Sequence, residues 1–135
     1  MAGGLAACAS ESTRSEPTRS GTVPGGTAIV SIDSQDAGTE RKVSCVTIGR
    51  LTTVSAGDEQ AGFTAAVSSG EGLLVQTVSI RNLGGFTGSY NKGLDEPAHV
   101  TMVDRTYQLS GIADGFETNN PSFRTPGKFA IQVSC

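Results

Sequence analysis

The residues best placed to do chemistry in this 135-residue chain are its three cysteines, Cys8, Cys45 and Cys135. Leu5-Ala6-Ala7-Cys8 has the pattern of a lipobox, the tetrapeptide after which a bacterial secretory signal is cut and whose cysteine then carries lipid. Four residues can also match by chance in an Ala/Gly-rich leader, so the cysteine count carries the weight. An odd count in an exported chain normally flags a free thiol or an intermolecular bond. Acylation of Cys8 removes one thiol and leaves Cys45 and Cys135 as an even pair, expected to form one disulfide. Only Met1-Ala2-Gly3-Gly4 precede the tetrapeptide, so residues 1–7 are expected to be the remnant of a lipoprotein signal peptide.

Other chemistry finds little support. His99 is the sole histidine, and no Gly-x-Ser-x-Gly elbow accompanies it, so a Ser-His-Asp triad has no basis. A zinc site needs several His and Cys ligands, and lipid plus disulfide already use all the cysteines. Asp33, Asp36, Asp58, Glu59, Asp95, Glu96 and Asp114 offer loop carboxylates, but without the spacing of an EF-hand. Sugar cleavage by paired carboxylates normally recruits aromatic platforms, and aromatics are 5% of this chain with no tryptophan. Gly84-Gly85 and Gly70-Glu71-Gly72 read as turns, since neither opens a helix that could hold phosphate. No catalytic residue, metal or cofactor is expected. The net charge of −3, with scattered Lys and Arg, lacks the basic stripe that nucleic-acid binding requires.

Three segments would position these groups. Residues 8–26 are Ser/Thr-rich with almost no apolar side chain to offset the entropy of ordering, and read as a disordered tether. Its Thr13, Thr18 and Thr22, near Pro17 and Pro24, have the composition of O-glycosylated stalks; an unmodified spacer fits as well. No run of about 18 apolar residues could span a bilayer, so membrane attachment must be covalent. Residues 27–135 form the one folded domain.

That domain reads as all-β. Eighteen glycines with abundant Ser, Thr and Val favour short strands and tight turns. Period-two alternation runs through Ala28, Val30 and Ile32, then Phe63, Ala65 and Val67, and finally Phe129, Ile131 and Val133. Asp33 to Gly38 reads as a turn, Lys42–Ile48 as a strand carrying Cys45, and Ser69 to Gly72 as a hairpin loop returning through Leu73–Asn82. Leu74, Val78 and Ile80 are assigned to the inner face of that return strand. Asp114–Lys128 reads as irregular, with Asn119-Asn120-Pro121 starting at most one short helical turn. Alternation places Cys135 on the inward face with Val133. The expected architecture is an antiparallel sheet folded as a small sandwich or half-open barrel. Small side chains at Ala65, Ala66, Gly88, Gly111 and Ala113 either leave a ligand-sized space or let two layers pack closely.

The chain resembles the LpqH family of mycobacterial surface lipoproteins. The likeness runs from about Ala28 through Cys45, Val75-Gln76-Thr77-Val78-Ser79-Ile80, Asn82, Gly85 and Tyr90. It continues through Tyr107-Gln108-Leu109-Ser110-Gly111, Gly115, Asn120-Pro121 and Phe129 to Cys135. The resemblance implies an exported antigen of the cell envelope, lipid-anchored through Cys8 at the extracytoplasmic face and closed by a Cys45–Cys135 bond. It also implies an acylated N-terminus sensed by host Toll-like receptors. A tether carrying Glu11, Arg14, Glu16 and Arg19 departs from the plain Thr/Ala/Gly stalk of the family. Two functions are expected to compete: a non-enzymatic surface antigen or adhesin, and a carrier of a lipid or glycolipid in an apolar cavity.

Overall fold

A computed structural model describes residues 21–94 and 96–135, which form ten antiparallel strands. In chain order these are β1 (Thr27–Ile32), β2 (Gln35–Glu40), β3 (Val43–Ile48), β4 (Leu51–Gly57) and β5 (Gly62–Ser68). They continue with β6 (Leu74–Leu83), β7 (Phe86–Asn91), β8 (His99–Val103), β9 (Thr106–Glu117) and β10 (Arg124–Ser134). One sheet takes the order β2-β1-β10-β9-β7-β6-β5-β4-β3. β9 is long enough to pair β10 along its full length on one side while sharing its other edge between β8 near Thr106 and β7 near Glu117. The sheet curls into a barrel that is nearly closed, with β2 and β3 at the two ends of the strand order among the described residues.

Alternation decides which side chains fill it. Ala28, Val30 and Ile32, Phe63, Ala65 and Val67, and Phe129, Ile131 and Val133 are all buried, as the period-two pattern predicts. Tyr90 and Phe129 meet in the middle with ring centroids 6.5 Å apart, and the Tyr90 hydroxyl accepts a hydrogen bond from Ala98 N–H at 3.0 Å. That bond lets a phenol sit in an apolar core without an orphaned polar atom.

Four details differ from the sequence reading, each for a local reason. Leu74 is exposed and Val75 buried, because Ala66 pairs Thr77 while Val67 pairs Val75. The extra residue, Gln76, is a bulge that flips the alternation. Gln35–Glu40 is a strand rather than the end of a turn: Asp33 and Ser34 take φ of 53° and 69°, and Ile32 pairs directly with Gln35. Both positive angles together match the tight hairpin turn whose twist suits paired strands. Asp114–Lys128 lies mostly within β9 and β10, which stay paired out to Phe116 and Arg124, and residues 118–123 make successive turns. Pro126 is tolerated there because β1 stops pairing at Phe129, leaving that side of β10 without a neighbour to receive an N–H. Finally, Cys135 lies beyond the last strand and is exposed, so it faces the rim and not the core.

Antiparallel pairing assigns every strand end to one of two poles. β1 begins and β10 ends at the same one, as Thr27 pairs Ser134 and Ser134 pairs Thr106. The turns at 49–50, 69–73 and 104–105 lie at this pole. The turns at 33–34, 84–85 and 118–123 lie at the other, whereas the 58–61 turn stays beside Lys42, two residues past the entry-pole end of β2.

Candidate functional site

The chain arriving from the N-terminal side is held down before the first strand begins. Gln108 Nε2 donates to the Gly21 carbonyl at 2.7 Å, and Thr101 Oγ1 donates to Gln108 Oε1 at 3.1 Å. Val23 is buried, and its N–H donates to Thr106 Oγ1 at 3.1 Å. Gly26 N–H donates to the Ser134 carbonyl at 2.8 Å. Residues 21–26, read from sequence as tether, therefore lie against the start of β9 and the end of β10. The one apolar side chain in that stretch, Val23 ahead of Pro24-Gly25-Gly26, is the signal that could have revealed the contact. Thr22 is half-buried within it, whereas Cys8, Thr13 and Thr18 lie outside the described residues.

Beside this entry point Cys45 and Cys135 form a disulfide, their Cα atoms 5.9 Å apart and 90 residues distant in sequence. Cys45 sits on β3, one free edge of the sheet, and Cys135 follows β10, next to the strand that pairs the other edge. Where hydrogen bonds stop short of closing the barrel, the covalent bond ties its two ends together.

Other residues with chemical potential are kept apart. His99 opens β8, exposed to solvent. Among the described residues no group of three or more His, Cys, Asp or Glu is gathered to hold a metal ion. At the far pole, Asp33, Asp36 and Glu117 border a surface groove of about 550 Å³ floored by Ile32, Phe86 and Pro126. Asp33 Oδ1 already accepts from Lys128 N–H at 3.0 Å, tying its turn to β10, and Asp36 Oδ1 accepts from Gly38 N–H at 3.0 Å within β2. A second surface groove, about 350 Å³, crosses the outer face of β1, β10, β9 and β8 past Ser31, Ala130, Ser110 and Thr101.

Asp58 shapes the turn between β4 and β5. Its Oδ1 accepts from Ala61 N–H at 3.0 Å and Gln60 N–H at 2.9 Å, while Arg81 Nε and Nη2 donate to its carbonyl at 3.1 and 3.0 Å. These backbone donors, Ala61 first and Gln60 next, hold the carboxyl below its ordinary range, with Lys42 and Arg81 adding smaller attraction. A depressed folded value means the stabilisation is complete above the unfolded value and disappears as pH falls through the folded one. Carbon-13 NMR titration is expected to place the Asp58 midpoint below that of the same residue in the urea-unfolded chain; an equal or higher midpoint contradicts the turn's role.

At Gly88 and Gly111, two of the small positions that raised the question, aromatic rings fill the space. A Cβ placed on Gly88 or on Gly127 would come within 2.7 Å of the Phe86 ring, and one on Gly111 within 3.0 Å of the Phe129 ring. The rings occupy the space that the missing side chains free, so the two layers pack closely there.

The sequence from Gly21 onward is also what other proteins share. A family model described as Mycobacterium 19 kDa lipoprotein antigen matches residues 21–135. The chain belongs to that family. A protein described as a lipoprotein in Mycobacterium indicus pranii is 33% identical over 110 residues, covering 81% of this chain and 78% of its own. Lipoprotein LpqH of Mycobacterium avium is 28% identical over 111 residues, 82% of this chain and 68% of that one. Lipoprotein LpqH of Mycobacterium tuberculosis strain H37Rv is 28% identical over 107 residues, 78% of this chain and 67% of that one. The expected LpqH likeness and all-β fold hold, and membership makes the chain a lipoprotein antigen of the cell envelope.

Proposed function

We propose that the protein is a non-enzymatic surface antigen, anchored by acyl chains on Cys8 at the extracytoplasmic face and presenting the β domain outward. The observation that supports this most directly is where the chain enters. Gln108 and Thr106 fix Gly21 and Val23 at one pole, beside the disulfide, so an anchor upstream leaves the opposite pole facing away. The acylated end is the part that host Toll-like receptors would sense, and the domain is the part available for adhesion. Thr13 and Thr18, ahead of the point where the chain meets the sheet, are the better O-glycosylation acceptors; half-buried Thr22 is the poorer one.

In a mycobacterial host, with a complete lipoprotein signal ahead of Leu5, Cys8→Ala is expected to move the protein from the membrane fraction to the soluble fraction. Retention of the variant in the membrane fraction would sink the anchor assignment. The competing role, carriage of a lipid or glycolipid within the domain, is disfavoured by the rings of Phe86 and Phe129 filling the space over Gly88, Gly127 and Gly111. Native mass spectrometry of the envelope-derived protein is expected to find only the lipid on Cys8. A second, stoichiometric lipid would restore the carrier reading.

A further inference from the structure

We propose that the entry pole of the domain docks onto the lipid surface that holds the anchor, through an apolar row of Ile48, Leu51 and Leu74 continued by Leu94. This rests on the reading of Cys8 as the acylated residue. The register places the row: Ile48 is opposite Leu51, Leu51 opposite Ser68, and Ser68 opposite Leu74, so these side chains share one outward face at one end of four strands. Leu74 also borders a hollow of about 240 Å³ with Lys92 and Gly93, the two residues before Leu94 in the chain. Ile48 is 76% exposed and Leu94 79%, with Leu51 at 41% and Leu74 at 46%.

The same face changes character along its length. One end row is Ser44, Ser55, Thr64 and Ser79, starting next to the disulfide, and the middle row is Val46, Thr53, Ala66 and Thr77. Apolar character therefore rises along these strands from the row next to the disulfide to the 49–50 and 69–73 turns. Scattered surface apolar residues need no explanation, but several gathered at one end of a face mark an interaction site. The occupant follows from connectivity: the interval from Cys8 to Gly21 spans at most roughly 45 Å even when fully extended, so an acylated chain keeps this pole close to lipid continuously. The charges nearest in sequence are mixed, Arg50, Lys92 and Arg105 with Glu71, Asp95, Glu96 and Asp104, and form no basic run. The contact is accordingly apolar rather than a basic patch reading anionic headgroups.

The test compares amide hydrogen exchange of the full, Cys8-acylated chain on phosphatidylethanolamine/phosphatidylglycerol vesicles with that of Cys8→Ala free in solution. Exchange at the 49–50 and 69–73 turns is expected to slow at least fivefold on vesicles, with the 84–85 and 118–123 turns unchanged. Ile48→Ser/Leu51→Ser/Leu74→Ser alters exposed positions, so it keeps the fold and still floats with vesicles, but loses the slowing. Equal exchange at both poles of the floated protein overturns the dock, as does slowing that survives in the triple variant. Slowing of the same turns in concentrated solution without vesicles overturns it in favour of a second copy, and release by high salt overturns its apolar basis. If the chain with intact Cys8 does not float at all, the anchor reading fails instead. The dock is then decided by Cys8→Ala with added vesicles: partition reduced about tenfold by the triple variant upholds it, and absence of partition overturns it.

Discussion

Serine at Cys135 is expected to lower the unfolding free energy by roughly 2–5 kcal/mol and the midpoint of thermal unfolding by on the order of 10–20 °C. The magnitude comes from the loop: a bond closing 90 residues excludes most of the open conformations available to the unfolded chain. It also comes from position, since β3 is paired on one side only and carries Val46 and Ile48 half or more exposed. Without the bond, the β3 edge has β4 alone to hold it in register. Differential scanning calorimetry with and without reductant checks this, and Cys45→Ser should reproduce the Cys135→Ser result. A midpoint shift under about 3 °C would show that the barrel is held closed by packing alone.

Phe86→Ala is the second large effect, about 3–5 kcal/mol by urea unfolding. Phe86 is only 4% exposed and fills the space over Gly88 on its own strand and Gly127 on β10, so its removal leaves a void over both glycines. The converse substitution has the same origin. Gly127→Ala forces a methyl against the Phe86 ring and is expected to cost about 1–3 kcal/mol. In the Phe86→Ala background that cost should vanish or change sign, because the methyl then occupies vacated space. A double-mutant cycle measures this coupling, and additive losses would mean that ring and glycines do not share one space.

Sequence legibility tracked how much each strand depends on its own side chains. β5, with Phe63, Ala65 and Val67 all inward, is readable because its burial pattern is written in its residues. β2, Gln-Asp-Ala-Gly-Thr-Glu, has no apolar alternation; it is a strand because β1 offers it a backbone edge after a tight turn. The paired ends of β9 and β10 were illegible for a related reason. Gly115 and Gly127 look like breakers, yet a Cβ on Gly115 would come within 2.0 Å of the Thr87 carbonyl oxygen and one on Gly127 would strike Phe86. Those glycines answer to neighbours far away in sequence. Leu74 was placed on the wrong face because a bulge depends on the partner strand, and Cys135 because alternation was extended one residue past the end of pairing. The disulfide itself was legible from counting, which needs no geometry. The apolar row at Ile48, Leu51 and Leu74 was not, since only register brings those positions side by side.

The place of β10 in the sheet has a consequence for the order of assembly. It lies between β1 and β9, so the tenth strand is the one that joins the first to the rest. β3 through β7 can pair in sequence as they emerge, but β1 and β2 have no other route into the sheet, and Cys45 has no partner until Cys135 arrives. Contacts of such long sequence separation form late and slowly. If the chain is exported as proposed, it cannot finish folding before β10 is through. The topology keeps β1 and β2 unlocked until β10 and Cys135 are available to join them.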